Sequence, residues 1–297
     1  MRGAVPPEVN AGRTREEHHH DWTPAAGMER FLAMPALTLT GLTVYPIKSA
    51  AGIAAETWPV DEFGLRHDRR WMLVDESGDA LTQRDCPRLA LVRPVIEGDR
   101  LFVTAPGSPP LDLPLAPPGA VTTMVTVWDD RCVAWWMGER AARWFSEAVG
   151  TTCSLVYMPD STIRPADPAY APPGVRVSFA DGFPFLMISE ASLDDLNRRL
   201  ATPLPMNRFR PNLVIGGGDA FVEDGLRAFR IGALELEVVK PCARCVLTTT
   251  DQDTATRGPE PLRTLAAFRR SGGKVLFGQN VLHRSTGRLS VGEVLRM

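Results

Sequence analysis

The stretch ALELEVV (233–239) sets Leu234, Leu236 and Val238 against Glu235 and Glu237 in strict two-residue alternation, the pattern of a half-buried β-strand. The same period recurs along most of the chain. LTLTGLTVYPI (37–47) alternates in the same way, and RRWMLVDESGDALTQ (69–83) reads as two strands around Ser77-Gly78. DRLFVTAP, VTTMVTVWDDRCVAWW, KVLFGQNVLHR and RLSVGEVLRM add further short strands separated by turn residues. A helical period surfaces in only a few places. GERAARWFSEAVG (138–150) is amphipathic, with Ala142, Phe145 and Ala148 on one face and Gly150 placed to end it. SEASLDDLNRRL (189–200) has Ser189 as a cap and Leu193, Leu196 and Leu200 as its buried face. PLRTLAAFRR (261–270) is a short helix that tolerates Pro261 in its first turn. The chain is therefore of the α+β class and rich in β, with no internal repeat.

A length of 297 residues suffices for one large domain or two ordinary ones. Residues 1–36 show no period and hold the run His18, His19, His20; they read as a disordered extension. A proline-rich loop, RPADPAYAPPG, introduces the second half. The formal net charge of −2 provides no global field for nucleic acid or an anionic membrane. No apolar run approaches the roughly 18 residues of a membrane span, and the N-terminus lacks the apolar core of a signal peptide. Five cysteines are too few and of the wrong parity for a disulfide framework, so a cytoplasmic, reducing setting is expected. Only Lys48, Lys240 and Lys274 are lysines.

Two of those cysteines stand together in KPCARCVLTTTD (240–251), directly after the alternating strand. Cys86, Cys132 and Cys153 form no second pair to complete a four-ligand zinc site. A thioredoxin-like dithiol would open a helix, whereas VLTT is β-branched and reads as extended. Two buried structural cysteines remain possible, as does a single thiolate held by Lys240 and Arg244. Three further clusters carry cations at strand ends. YPIKSA offers Lys48 and Ser49; GLRHDRRW offers Arg66, Arg69 and Arg70; NRFRPNLVIGG offers Asn207, Arg208, Arg210 and Asn212. Cations with a hydroxyl and loop amides suit a phosphate, and a thiolate suits a soft or transition metal.

YPIKS, FGLRHDRRWMLVD, FADGFPFLMISEASLDDLN, FRPNLVI, KPCARCVLTTTD, EPLRTL and FGQN follow one another in this order. In this the chain resembles MOSC-domain proteins with a MOSC N-terminal β-barrel domain, in particular the branch of amidoxime reducing components and YcbX-type bacterial proteins. The resemblance runs from about Leu39 to Met297. It implies an N-terminal β-barrel-like domain over 37–155 and a MOSC β-barrel domain over 156–297. It also implies a molybdenum cofactor, Mo-molybdopterin, whose metal takes its protein thiolate from Cys245, with Cys242 a bystander. Pterin and phosphate contacts carry over to Lys48, Ser49, Arg69, Arg210, Asn212, Ala243 and Arg244. Asp181 matches an acidic residue near the metal that could relay a proton to a departing oxygen. Gly182 and Phe183 stand where relatives have hydroxyl residues, leaving backbone contacts only.

The implied activity is oxygen-atom transfer to Mo(IV) from N-hydroxylated compounds: amidoximes, hydroxylamines and N-hydroxylated bases. A sulfur carrier with a persulfide on Cys245, or a carrier of the molybdenum cofactor, is the alternative. The cysteines lack the C-x₄-C-x₂-C spacing of a [2Fe–2S] cluster, and Gly216–Gly218 runs into DAFVEDG without a nucleotide fingerprint. With no Fe–S cluster or flavin site in its sequence, the chain is expected to draw electrons from a separate ferredoxin, flavodoxin or b-type cytochrome with its own reductase.

Overall fold

Alternating apolar residues become strands because each can bury one face against a neighbour, and nine of the nineteen strands among the described residues gather in one curled sheet. The computed structural model describes residues 36–117 and 121–297. The expected extension, with His18–His20, lies outside these apart from Ala36. The nine-stranded sheet runs Leu295–Arg296, Ala228–Ile231, Leu234–Ala243, Lys274–His283, Phe185–Ser189, Leu213–Gly216, Thr38–Val44 and Ile53–Ala54, with Arg270–Ser271 as a branch on Lys274–His283. All these pairings are antiparallel except that of Phe185–Ser189 with Leu213–Gly216. Leu39, Leu42, Leu213, Ile215, Leu236 and Val281 supply its buried face.

Three smaller sheets complete the β structure among the described residues. Val121–Val127, Asp130–Trp136, Ser154–Tyr157 and Trp71–Val74 form a four-stranded antiparallel sheet. Arg93–Glu97, Arg100–Ala105 and Ser108–Pro114 form a meander. Gly287–Ser290 pairs with Thr57–Asp61, which pairs with Gly64–Leu65. The helix Glu139–Val149 covers a core that includes Trp71, Leu73, Leu101, Val103 and Leu155.

Several local expectations shift by a residue or an element. The first helix buries Ala141, Trp144, Phe145 and Ala148, so Trp144 and Ala141 replace Ala142 on its inner face. Gly150 ends it at φ 77°, the left-handed cap that a glycine adopts without strain. In the 69–83 stretch the return arm is reduced to isolated bridges, Ala80 opposite Val74 and Asp79 beside Thr126. The segment read as extended after the cysteine pair is instead a 3₁₀ turn, Val246–Thr249. Its threonines account for this: Thr248 Oγ1 donates to the Cys245 carbonyl at 2.9 Å, and Thr249 Oγ1 to that of Val246 at 2.7 Å.

Candidate functional site

Leu234–Ala243 does not run straight into the sheet. Its register slips between Val238 and Lys240 and again between Pro241 and Ala243. Such bulges bend a strand and re-aim its side chains, and here they lead the cysteine pair into a cleft. Other segments meet there: the turn after Thr38–Val44, the turn before Trp71–Val74, the loop carrying Thr82 and Arg84, the bend before Phe185, the approach to Leu213, and Lys274–His283 at Asn280. Lys48, Ser49, Arg69, Asp181, Gly182, Phe183, Arg210, Asn212, Ala243, Arg244 and Cys245 all line this one cleft, as does Cys242. Arg66 and Arg70 do not line it; Arg70 is buried against the Met158 carbonyl and Asp160. Arg208 is spent on Thr249 and Asp251.

The cleft collects charge of one sign. Lys48, Arg69, Arg84, Arg210 and Arg244 line it against Asp181 alone, in a chain of net charge −2. Asp68 adds a second carboxylate from behind. It is 1% exposed, pairs with Arg69, and burial raises its pKa. The Asn212 amide ties this corner together. Its oxygen accepts from Arg69 Nη1 at 2.8 Å and Leu186 N at 3.3 Å; its nitrogen donates to Thr43 O at 3.1 Å and Asp68 Oδ1 at 3.0 Å. Two lone pairs and two protons are thereby used up. The Asn212 side chain positions Arg69 and has nothing left for a ligand.

Arg210 is the opposite case. It is buried, yet its one side-chain hydrogen bond among the described residues is a long one from Nη1 to Gln252 Oε1, 3.4 Å. Burial, with the neighbouring Arg69, pulls its pKa down to about 10. Tyr45 is stacked by both arginines, with guanidinium carbons 4.3 and 4.5 Å from its ring centre. Ser49, Arg69 and Arg210 also share a backbone conformation rare outside glycine, with φ of 67°, 49° and 57°. Such strain is held in place by the structure around it and gathers at binding sites.

The two thiols each face an arginine. Arg84 Nη2 lies 3.1 Å from Cys245 Sγ, and Arg244 Nη1 lies 3.1 Å from Cys242 Sγ. Arg244 Nη2 donates to the Phe209 carbonyl at 2.7 Å, while its Nε is buried with no partner. Lys240, named from sequence as a flank of the thiols, turns away to Asp167 and the Tyr170 ring. Arg84 takes its place. Nothing in TQRDCP singles it out in the sequence, because it reaches Cys245 across 161 positions.

Lys48 Nζ donates to the Phe179 carbonyl at 2.8 Å and to Asp181 Oδ1 at 2.6 Å. The pair is lopsided, since the lysine side chain is 6% exposed and the aspartate 66%. Burial dominates the ammonium and lowers its pKa despite the aspartate. Burial works against the Asp181 carboxylate as well, but Lys48, Arg84 and Arg69 outweigh it and hold its pKa well below the usual range.

Comparison with known proteins bears on this arrangement. Residues 36–152 match the model of the MOSC N-terminal beta barrel domain, and residues 174–296 that of the MOSC domain. Mitochondrial amidoxime-reducing component 1 of Mus musculus is 33% identical over 296 residues, covering 92% of this chain and 85% of the relative. Mitochondrial amidoxime reducing component 2 of Rattus norvegicus is 34% identical over 301 residues, covering 93% and 88%. Molybdenum cofactor sulfurase of Oryza sativa subsp. japonica is 34% identical over 267 residues, 83% of this chain but 32% of the relative. The chain thus spans about a third of the length of that sulfurase.

Proposed function

The chain belongs to the MOSC family, with its N-terminal beta barrel and MOSC domains, and from this we propose that it is a molybdenum-cofactor-dependent reductase of N-hydroxylated compounds. The observation that carries the reading is one cysteine thiol, Cys245, set 3.1 Å from a guanidinium in a cleft lined by five cations. The residues present fit such a group. The orphaned Arg244 Nε and the under-used Arg210 await an acceptor, as a phosphate or pterin would provide. Among the described residues no three His, Cys, Asp or Glu side chains converge as a metal site. A metal at Cys245 would therefore bring most of its ligands with it, as a dithiolene cofactor does.

In this reading Cys245 Sγ ligates the metal, and Arg210, Arg244, Lys48 and the backbone at Ser49 and Ala243 hold the pterin and phosphate. When bound, the molybdenum cofactor supplies abstraction of an oxygen atom with two electrons. The overall reaction is R–NHOH + 2e⁻ + 2H⁺ → R–NH₂ + H₂O, with the electrons drawn from a separate ferredoxin, flavodoxin or b-type cytochrome. The chain's own share is orientation and protons. Asp181 stays ionised through the neutral range and so is a poor acid there. It anchors Lys48, whose ammonium burial makes more acidic, at the lip of the cleft. Arg84 donates to the Cys245 thiolate and balances its charge.

Similarity to a molybdenum cofactor sulfurase at 34% identity favours a second reading, in which the same cleft holds the cofactor without turnover. Turnover separates the two. Protein from a host that makes the cofactor is assayed for molybdenum and, with chemically reduced viologen as donor, for benzamidoxime reduction. About one molybdenum per chain and steady amidine formation are expected. Cys245→Ala should lose both, while Cys242→Ala keeps most of each. Molybdenum without reduction would leave a carrier, and equal loss in both variants would point to a dithiol.

A further inference from the structure

Trp128 and Asp129 form the two-residue turn between Val121–Val127 and Asp130–Trp136, because Val127 and Asp130 are paired. The φ of Trp128 is 57°. A positive φ at the first position of such a turn asks for glycine, and any larger residue there is strained. The chain places a tryptophan instead and leaves 47% of it exposed. Neither the turn nor the core accounts for that residue. A contact does: the centre of its ring lies 4.3 Å from the Arg84 guanidinium carbon and 5.7 Å from Lys48 Nζ, and both cations line the cleft at Cys245.

Arg84 needs such a support. Its backbone is clamped, since its amide donates to Thr82 Oγ1 at 3.1 Å and its carbonyl accepts from Arg257 Nη2 at 2.9 Å. The residue before it is locked as well. Gln83, fully buried, exchanges amide hydrogen bonds with Gln252 at 3.0 and 3.1 Å and donates to the Ser49 carbonyl at 2.7 Å. The Arg84 side chain has less to hold it. Among the described residues its guanidinium makes one hydrogen bond, the 3.1 Å contact from Nη2 to Cys245 Sγ. Sulfur is a weak acceptor, and a long side chain loses much freedom on being ordered, so that bond alone does not fix its direction. The face of an indole, the best aromatic partner for a cation, is the second point of support.

We propose that Trp128 is a positioning residue, whose ring holds the Arg84 guanidinium on Cys245 Sγ and thereby sets how strongly that sulfur donates to a bound metal. A cation hydrogen-bonded to a ligand sulfur draws electron density from it and makes the metal easier to reduce. The metal at Cys245 rests on the reductase reading; the hold of Trp128 on Arg84 does not.

Two measurements test this. The first uses the full chain without cofactor, carrying Cys242→Ser so that Cys245 is the thiol left in the cleft; Cys86, Cys132 and Cys153 are buried. Rates of Cys245 with dianionic dithionitrobenzoate and with neutral dithiodipyridine are compared at one pH. Their ratio cancels the ionisation of the thiol and reads the positive charge held beside it. Arg84→Met should lower the ratio about 10-fold, the effect of one unit charge close to a dianion. Trp128→Gly should lower it at least about 3-fold, the size of one lost cation–ring contact. Its unfolding midpoint should stay level or rise, because glycine relieves the turn. Trp128→Phe keeps an aromatic face and should stay within about 2-fold of the native ratio. Trp128→Gly added to Arg84→Met should change nothing further. An unchanged ratio in Trp128→Gly, or a further fall in the double variant, overturns the proposal.

The second measurement is a redox titration of the molybdenum-loaded chain, followed by electron paramagnetic resonance. Trp128→Gly and Arg84→Met should both lower the Mo(V)/Mo(IV) potential, and a tenfold shift of that equilibrium is about 59 mV for one electron. A potential that stays in place in both variants overturns the tuning. A native chain that takes up no molybdenum, yet shows the expected rate ratios, keeps the hold of Trp128 on Arg84 and loses the reductase reading.

Discussion

Arg69 and Arg210 carry the same charge into the same cleft, and their surroundings give them different work. Asp68, almost wholly buried, has Arg69 as its counter-ion, and Asn212 holds both. Arg69→Ala leaves that carboxylate unpaired and should cost about 3 kcal/mol in stability. The loss is limited because burial already raises the Asp68 pKa and lets it take up a proton. Arg210→Ala removes a buried cation with one long hydrogen bond, so its unfolding midpoint should stay level or rise while molybdenum content falls several-fold. Chemical denaturation and metal analysis of both variants check the contrast; matching losses of stability would make Arg210 structural too. The motifs did identify these positions, but not this division of labour. YPIKS, HDRRW and FRPN name which residues meet, while the strain at Ser49, Arg69 and Arg210 arises from tertiary packing that no residue type announces. Arg84 and Trp128 carry no motif at all, because their partners are far off in sequence.

At the scale of elements, the turn from Asp61 to Arg70 holds Asp68 and Arg69 in place, and His67 is its weak point in acid. Burial, reinforced by Arg70 and Arg66, lowers the His67 pKa from 6.5 to about 4. Between those values the unfolded chain binds the proton and the folded one does not, so stability falls as pH drops from 6.5 toward 4. The full shift corresponds to about 2–3 kcal/mol after allowance for partial exposure. His67→Asn should flatten this slope, since asparagine tolerates the φ of 70° and does not titrate. Thermal unfolding between pH 4 and 7 measures it. His283, which its own burial also lowers, contributes to the slope that remains; an unchanged slope would clear His67. Of the strands around this turn, Trp71–Val74 was legible within RRWMLVD, whereas Thr57–Asp61, which carries Pro59, was not. The 3₁₀ turn at Val246–Thr249 was not either, since its β-branched residues favour strand until their hydroxyls find the carbonyls three residues back.

The two halves of the chain do not keep to separate sheets. Thr38–Val44, at the start of the described residues, lies between Leu213–Gly216 and Ile53–Ala54, and buries Leu39, Leu42 and Val44 in the core formed mainly by the second half. In return, Gly287–Ser290 near the end pairs along its whole length with Thr57–Asp61. The cleft depends on this exchange: Lys48 and Ser49 follow the first strand, Arg69 follows the second, and Cys245 follows Leu234–Ala243 of the other half. Residues 156–297 expressed alone should therefore lack both a sheet partner for Leu213–Gly216 and half of the cationic wall. Burial of three large apolar side chains is lost, each worth about 1.5–3 kcal/mol, against a total stability of about 5–15 kcal/mol for an ordinary domain. The fragment should be insoluble or molten, with weak near-ultraviolet dichroism and no retained molybdenum. Co-expression with residues 36–155 should recover a soluble complex that carries the metal, because the missing strands are supplied in trans. Size-exclusion chromatography with metal analysis reads the outcome. A folded, soluble 156–297 fragment that holds molybdenum by itself would mean that the first strand decorates the sheet and that Cys245, Arg210 and Arg244 suffice for the site.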